Sequence, residues 1–216
     1  NKDLTGTLLS GVDLSSVNFP QTKLKSPKKI EIVIEDTLNS DWPAINDVQN
    51  LNITRYDLSG EAEYLITKEG FLFEFKENES KLVLDLNDDI QFPFFVSEGA
   101  EDGLLGIASQ NELVYVAYTN KDIDGSYFLV VDEYSMNFNK VRNIIKIEGF
   151  GPVHFGGNLL FDSFGRLYLS VGDGSLDDKA QNLNSLKGKI LRLDTSEAKK
   201  EPEIIAYGIR NPWGVS

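Results

Sequence analysis

Residues 154–174 read His154-Phe-Gly-Gly-Asn-Leu-Leu-Phe-Asp-Ser-Phe-Gly-Arg-Leu-Tyr-Leu-Ser-Val-Gly-Asp-Gly174, and they contain the sole histidine of the 216-residue chain. Apolar residues run through Asn158–Phe161 and again through Leu167–Val171, with the turn Ser163-Phe-Gly165 between them. Two short apolar runs joined by a glycine-bearing turn predict a β-hairpin. Its second strand ends in an aspartate flanked by glycines, and its first is preceded by the histidine, so both residues fall at one end of the hairpin. Strand ends that meet at a common mouth are where β architectures keep their binding chemistry.

The same pattern extends in both directions. Strands are expected at 62–67, 70–75, 81–86, 112–118, 127–131, 143–147, 165–170 and 189–193, and at Ile30–Ile34 near the start. Turns are expected at Lys68-Glu-Gly70, Ile123-Asp-Gly-Ser126 and Ser163-Phe-Gly165. Residues 40–50 and 177–187 are the only places where the pattern allows a short helical turn. Tyr64-Leu-Ile, Tyr115-Val-Ala and Tyr168-Leu-Ser recur at intervals of roughly 50 residues, the size of a four-stranded propeller blade. The fold class is therefore all-β, and a β-propeller is preferred to an irregular sandwich. About 185 residues make three to three and a half blades, short of the four needed for closure, so the chain is expected to be part of a larger propeller. A partial propeller leaves unpaired strand edges and should associate or be poorly soluble.

The first 26 residues differ. Leu4, Leu9, Leu14, Phe19 and Leu24 recur every fifth residue, with Gly6, Gly11 and Ser16 two places after three of them. This suggests a pentapeptide-repeat β-solenoid; the alternative is chance spacing in a polar linker. Pro20 and Ser26-Pro-Lys-Lys29 break the pattern, so the expected division is a repeat-like segment at 1–26 and the propeller at 27–216.

Composition excludes several functions. There is no cysteine, hence no disulfide framework, thiol nucleophile or thiolate zinc site. The formal net charge of −13 disfavours nucleic acid and anionic membrane surfaces. No apolar run approaches the roughly 18 residues of a membrane span, and no targeting signal is visible. Phosphate-loop, nucleophile-elbow and dinucleotide-binding motifs are missing, and Pro152 removes a backbone donor from the one glycine-rich candidate, 149–154. Asn120-Lys-Asp-Ile-Asp-Gly125 resembles the first half of a calcium loop, but Val131 stands where a bidentate glutamate is required, which favours a hairpin turn. Gly172-Asp-Gly-Ser-Leu-Asp-Asp178 can be a cation loop or a solvated turn.

A lone histidine is a structural residue or a general base. Asp173, at the same end of the hairpin, can orient the His154 ring. Arg210, just before Asn211-Pro212, can stabilise negative charge on an oxygen, and Glu101 precedes Gly103-Leu-Leu-Gly106 one blade earlier.

Together, Gly103-Leu-Leu-Gly-Ile-Ala, His154-Phe-Gly-Gly-Asn-Leu-Leu-Phe-Asp, Gly165-Arg-Leu-Tyr-Leu-Ser-Val-Gly-Asp-Gly, Ala180-Gln-Asn-Leu, Leu186-Lys-Gly-Lys-Ile-Leu-Arg-Leu-Asp and Gly208-Ile-Arg-Asn-Pro-Trp-Gly resemble the glucose/sorbosone dehydrogenase family. These are pyrroloquinoline-quinone-dependent aldose dehydrogenases with six-bladed propellers, and the resemblance covers about residues 30–216. It implies that His154 removes the proton of a sugar's anomeric hydroxyl while hydride passes to the quinone, with Asp173 and Arg210 as catalytic partners. It implies cofactor contacts from Glu101, His154, Arg210 and Asn211, and a calcium ion whose ligands lie in an absent C-terminal half. The implied partners are a sugar and an external electron acceptor, with that second half or a homodimer completing the propeller. The implied location is the periplasm, the cell surface or the exterior. The alternative is a non-catalytic propeller binding module of a cell-surface or secreted protein, such as the hedgehog-interacting proteins that resemble this family.

Overall fold

A computed structural model of the chain describes residues 53–57, 63–76, 79–90, 101–176, 178–196 and 201–214. All belong to the compact unit Pro43–Val215. The expected N-terminal repeat, the Ile30–Ile34 strand and the 40–50 turn lie outside the described residues.

Among the described residues, twelve strands form three four-stranded antiparallel meanders. The first sheet holds β1 (Ile53–Asp57), β2 (Glu63–Thr67), β3 (Phe71–Lys76) and β4 (Glu79–Asp85), the last followed by a 3₁₀ turn at Leu86–Asp88. The second holds β5 (Leu104–Gln110), β6 (Leu113–Lys121), β7 (Tyr127–Ser135) and β8 (Lys140–Phe150). The third holds β9 (Gly156–Phe161), β10 (Leu167–Val171), β11 (Lys189–Leu193) and β12 (Glu203–Tyr207). These are three consecutive propeller blades, and no α-helix occurs among the described residues. The three recurring tyrosines, Tyr64, Tyr115 and Tyr168, all lie on the second strand of their blade. The expected turns form as read: Gly70, Gly125 and Gly165 each donate to the carbonyl three residues back, at 3.0, 2.8 and 2.9 Å. Residues 178–187 form a run of hydrogen-bonded turns, with one helical i→i+4 bond from the Asn182 N–H to the Asp178 carbonyl at 3.2 Å.

Side-chain alternation along the middle blade explains the stacking. Val114, Val116 and Tyr118 of β6 join Tyr64, Ile66 and Leu72 of the first blade in one buried cluster. Tyr115 and Ala117 face the other way, joining Leu159, Leu167, Leu169 and Leu191 of the third blade. Successive residues of a strand point to opposite faces, and a sheet covered on both faces reads as a continuous apolar run, as β6 does. The first strands of the blades lie side by side, β5 next to both β1 and β9. Glycine sets how closely they approach: a Cβ on Gly106 would stand 2.0 Å from the carbonyl oxygen of Gly157.

Register aligns one end of the third blade. Val171 pairs with Gly156 and with Lys189, and Lys189 pairs with Tyr207. The residues just beyond these, His154, Asp173, Lys187 and 208–211, therefore emerge at the same end of the sheet.

Candidate functional site

At that end, the segments entering and leaving the third blade are laced by backbone bonds. Gly172 donates to the Phe155 carbonyl at 2.9 Å, Gly174 to the His154 carbonyl at 3.1 Å, and Asp173 to the Arg210 carbonyl at 2.8 Å. Residue 172 has to be glycine, because a Cβ there would lie 2.0 Å from the His154 carbonyl oxygen. His154 is buried and has a left-handed backbone with φ of 62°. Such a conformation is unfavourable for a side-chain-bearing residue, and bonds on both sides of the peptide unit hold it. Its carbonyl accepts from Gly174, and its N–H donates to Glu101 Oε2 at 2.6 Å.

The imidazole is held from one side. Asp173 Oδ1 lies 2.8 Å from His154 Nδ1, and Ser175 Oγ lies 3.0 Å from the same nitrogen. An ionised carboxylate can only accept, so the pairing places the ring proton on Nδ1. Nε2 then carries the lone pair, and it has no hydrogen-bond partner among the described residues. A neutral histidine oriented this way can accept a proton at Nε2.

The structure unites four of the five expected residues through side chains. Glu101, from the segment before β5, accepts from the His154 amide and, at 3.1 Å, from Asn211 Nδ2 beyond β12. One carboxylate oxygen thus ties together the approaches to the second blade, the third blade and the segment that follows. This bond set makes Glu101 a clamp on the histidine backbone. Asn211 Oδ1 is buried with no hydrogen-bond partner among the described residues. Arg210 reaches the site through its carbonyl, while its side chain is exposed and its guanidinium forms no ion pair among the described residues. Ser175 is a member of the cluster that the sequence pattern does not single out. Its signal in the sequence is the Asp173-Gly-Ser175 triplet, since an aspartate commonly accepts from the backbone two residues on; here the Ser175 N–H donates to Asp173 Oδ1 at 2.8 Å.

The 172–188 loop carrying Asp173 is fastened by two lysines. Lys189 is fully buried, and its ammonium donates to the carbonyls of Lys179, Ala180 and Lys187 at 3.0, 2.8 and 2.7 Å. Burial lowers its pKa. Lys187 donates to the Gly149 carbonyl at the end of β8, with its ammonium 4.9 Å from the centre of the Phe150 ring. Burial and then repulsion by Lys179 lower its pKa. The segment 120–126 is a hairpin turn: Asn120 Oδ1 caps the Lys121 amide, Asp122 pairs with Lys146 at 3.3 Å, and Asp124 Oδ1 takes Ser126 N at 2.9 Å. Among the described residues no group of three or more His, Asp or Glu side chains is placed to hold a metal ion. No described helix is long and apolar enough to cross a membrane.

Comparison with known proteins places the chain in a family. The aldose sugar dehydrogenase YliI of Escherichia coli (strain K12) is 38% identical over 139 residues, covering 54% of this chain and 38% of that protein. The hedgehog-interacting protein of Mus musculus is 27% identical over 188 residues, covering 68% of this chain and 26% of that protein. The chain thus spans well under half the length of these curated relatives. Among solved structures, a putative glucose dehydrogenase from Thermus thermophilus superposes with a TM-score of 0.57 at 23% identity, covering 75% of this chain and 53% of that one. The PQQ-bound aldose sugar dehydrogenase of Streptomyces coelicolor gives a TM-score of 0.55 at 22% identity, covering 74% and 52%. These superpositions establish the propeller fold. The model of the glucose/sorbosone dehydrogenase family matches residues 59–216, all three blades except the first strand together with every residue of the histidine cluster, and the chain belongs to that family.

Proposed function

We propose that the chain supplies the general-base half of a pyrroloquinoline-quinone-dependent sugar dehydrogenase that oxidises an aldose at its anomeric hydroxyl. The observation that carries this reading is the 2.8 Å contact between Asp173 Oδ1 and His154 Nδ1, which leaves Nε2 an acceptor with no partner among the described residues. Nε2 takes the hydroxyl proton, and the adjacent Asp173 carboxylate stabilises the imidazolium that results. Glu101 keeps the histidine backbone from shifting as the ring gains charge.

Pyrroloquinoline quinone, when bound, supplies a two-electron acceptor for the hydride released from the sugar. The residues present fit such an acidic, polar group in part. The Arg210 guanidinium, without an ion pair among the described residues, would meet its negative charge, and the buried Asn211 Oδ1, without a partner among them, would accept from a donor. The described residues do not form a calcium site. A periplasmic, cell-surface or secreted location suits this reading, as does the absence of cysteine. The external electron acceptor and the rest of the propeller complete the proposed system.

The test is turnover of an aldose by the full-length protein loaded with the quinone and calcium, read through an artificial electron acceptor. His154→Ala is expected to abolish turnover while leaving cofactor binding intact. Unchanged turnover would remove His154 as the base.

The similarity to a hedgehog-interacting protein over 68% of the chain favours a second reading, a non-catalytic binding module. It predicts no quinone uptake in an absorbance titration, and stoichiometric binding would count against it.

A further inference from the structure

We propose that Ser175 is a positioning residue for His154, sharing the Nδ1 proton with Asp173. The proposal rests on the reading of His154 as the base.

Two oxygens meet one ring nitrogen: Asp173 Oδ1 at 2.8 Å and Ser175 Oγ at 3.0 Å. A single contact to Nδ1 leaves the ring able to pivot about it; two contacts from different residues fix the direction in which Nε2 points. Asp173 Oδ1 also accepts from the Ser175 amide at 2.8 Å, so one carboxylate oxygen holds both the ring and the residue that braces it. Of the three residues, His154 is buried, Asp173 intermediate and Ser175 exposed, so the serine is the member of the cluster most open to water.

The backbone makes this choice of residue informative. Ser175 has φ of 56°, a conformation that glycine adopts freely and serine does not. Its neighbour Gly174, with φ of 71°, is a glycine. Glycine at 175 would relieve the strain and lose only the hydroxymethyl group. The serine thus keeps a conformational cost at the point where its hydroxyl meets the base, the pattern of strain held at a functional position.

The test compares wild-type protein with Ser175→Gly and Ser175→Ala in the full chain. In 15N-histidine-labelled protein, the His154 signals are assigned by their loss in His154→Gln. Wild-type protein is expected to show a protonated Nδ1 whose proton exchanges slowly. In both variants the Nδ1 shift is expected to move and the exchange to quicken by about tenfold, the loss of one hydrogen bond. Ser175→Gly is expected to melt at the wild-type temperature or above it, so that loss of strain and loss of bracing separate. With the cofactor loaded, kcat is expected to fall about two- to tenfold with KM little changed. Unchanged Nδ1 shift and exchange in both variants would overturn the proposal whatever the activity. Full activity of His154→Gln would defeat the base reading alone, and the resonance data would still decide the role of Ser175.

Discussion

Replacing Glu101 by alanine removes the carboxylate that joins three segments. Its Oε2 accepts the His154 amide at 2.6 Å and Asn211 Nδ2 at 3.1 Å. Hydrogen bonds to an ionised acceptor contribute about 1.5–3 kcal/mol each, the low end applying to a half-buried group such as this one. His154 is only 7% exposed, so its amide has little access to replacement water. The two bonds together set the cost of Glu101→Ala at about 3 kcal/mol. Glu101→Gln keeps an acceptor oxygen and loses the charge, and its cost is about 1 kcal/mol. For a domain of this size each kcal/mol lowers the melting temperature by about 2–4 °C, so alanine should lower it by about 6–12 °C. Urea denaturation of the three proteins measures the free energies, and amide exchange at His154 locates the effect, with protection there falling in Glu101→Ala more than elsewhere. Equal stability of Glu101→Ala and wild type would refute the clamp. A glutamine variant as unstable as the alanine variant would also refute it, because the stabilisation would then reside in charge and not in the hydrogen bonds.

Gly106→Ala drives a Cβ to 2.0 Å from the Gly157 carbonyl oxygen between two neighbouring inner strands, where backbone meets backbone. It is expected to cost at least about 3 kcal/mol in chemical denaturation. Gly125→Ala, with φ of 82° and open space around its Cβ position, is the comparison: only backbone strain of about 1–2 kcal/mol is expected, and equal losses at the two sites would contradict the close approach of β5 and β9. At the β9–β10 turn, the Arg166 side chain, then backbone amides and Tyr168, hold the Asp162 carboxyl below the usual carboxylate range. A depressed carboxylate stabilises the fold above the unfolded-state pKa of about 4 and loses that contribution as pH falls through the folded-state value. The stability gap between wild type and Asp162→Asn should therefore be constant near neutrality and shrink below about pH 4; a gap independent of pH would dissociate the turn from ionisation of Asp162.

Strands whose pattern is local are legible in the amino-acid sequence. β6 and β7 are apolar runs meeting at the Gly125 turn, β10 is an apolar run between Gly165 and Gly172, and the tyrosine recurrence marks the second strand of each blade. The same patterning does not mark β1, β5 or β12 as strands. β12, Glu203–Tyr207, is short and follows Pro202, and its extended form comes from pairing with β11. The turns at 178–187 owe their shape to the Lys189 ammonium, which gathers three carbonyls from Lys179 to Lys187 and which no local pattern announces.

The amino-acid sequence by itself determined the all-β class, the blade repeat and the His154–Asp173 pair, because each depends on neighbours within one strand or one hairpin. A hairpin brings its two ends together by geometry alone, so residues before its first strand and after its second are close in any sheet that forms it. Only the tertiary structure decided what Glu101 does, since its partners His154 and Asn211 lie on different segments and meet it through blade stacking. Only the tertiary structure turned the Ser175 hydroxyl onto the histidine, because that contact depends on a left-handed backbone at both residues. The His154–Asp173 pair was written in the hairpin, and the Glu101 clamp on it came from the stacking of neighbouring blades.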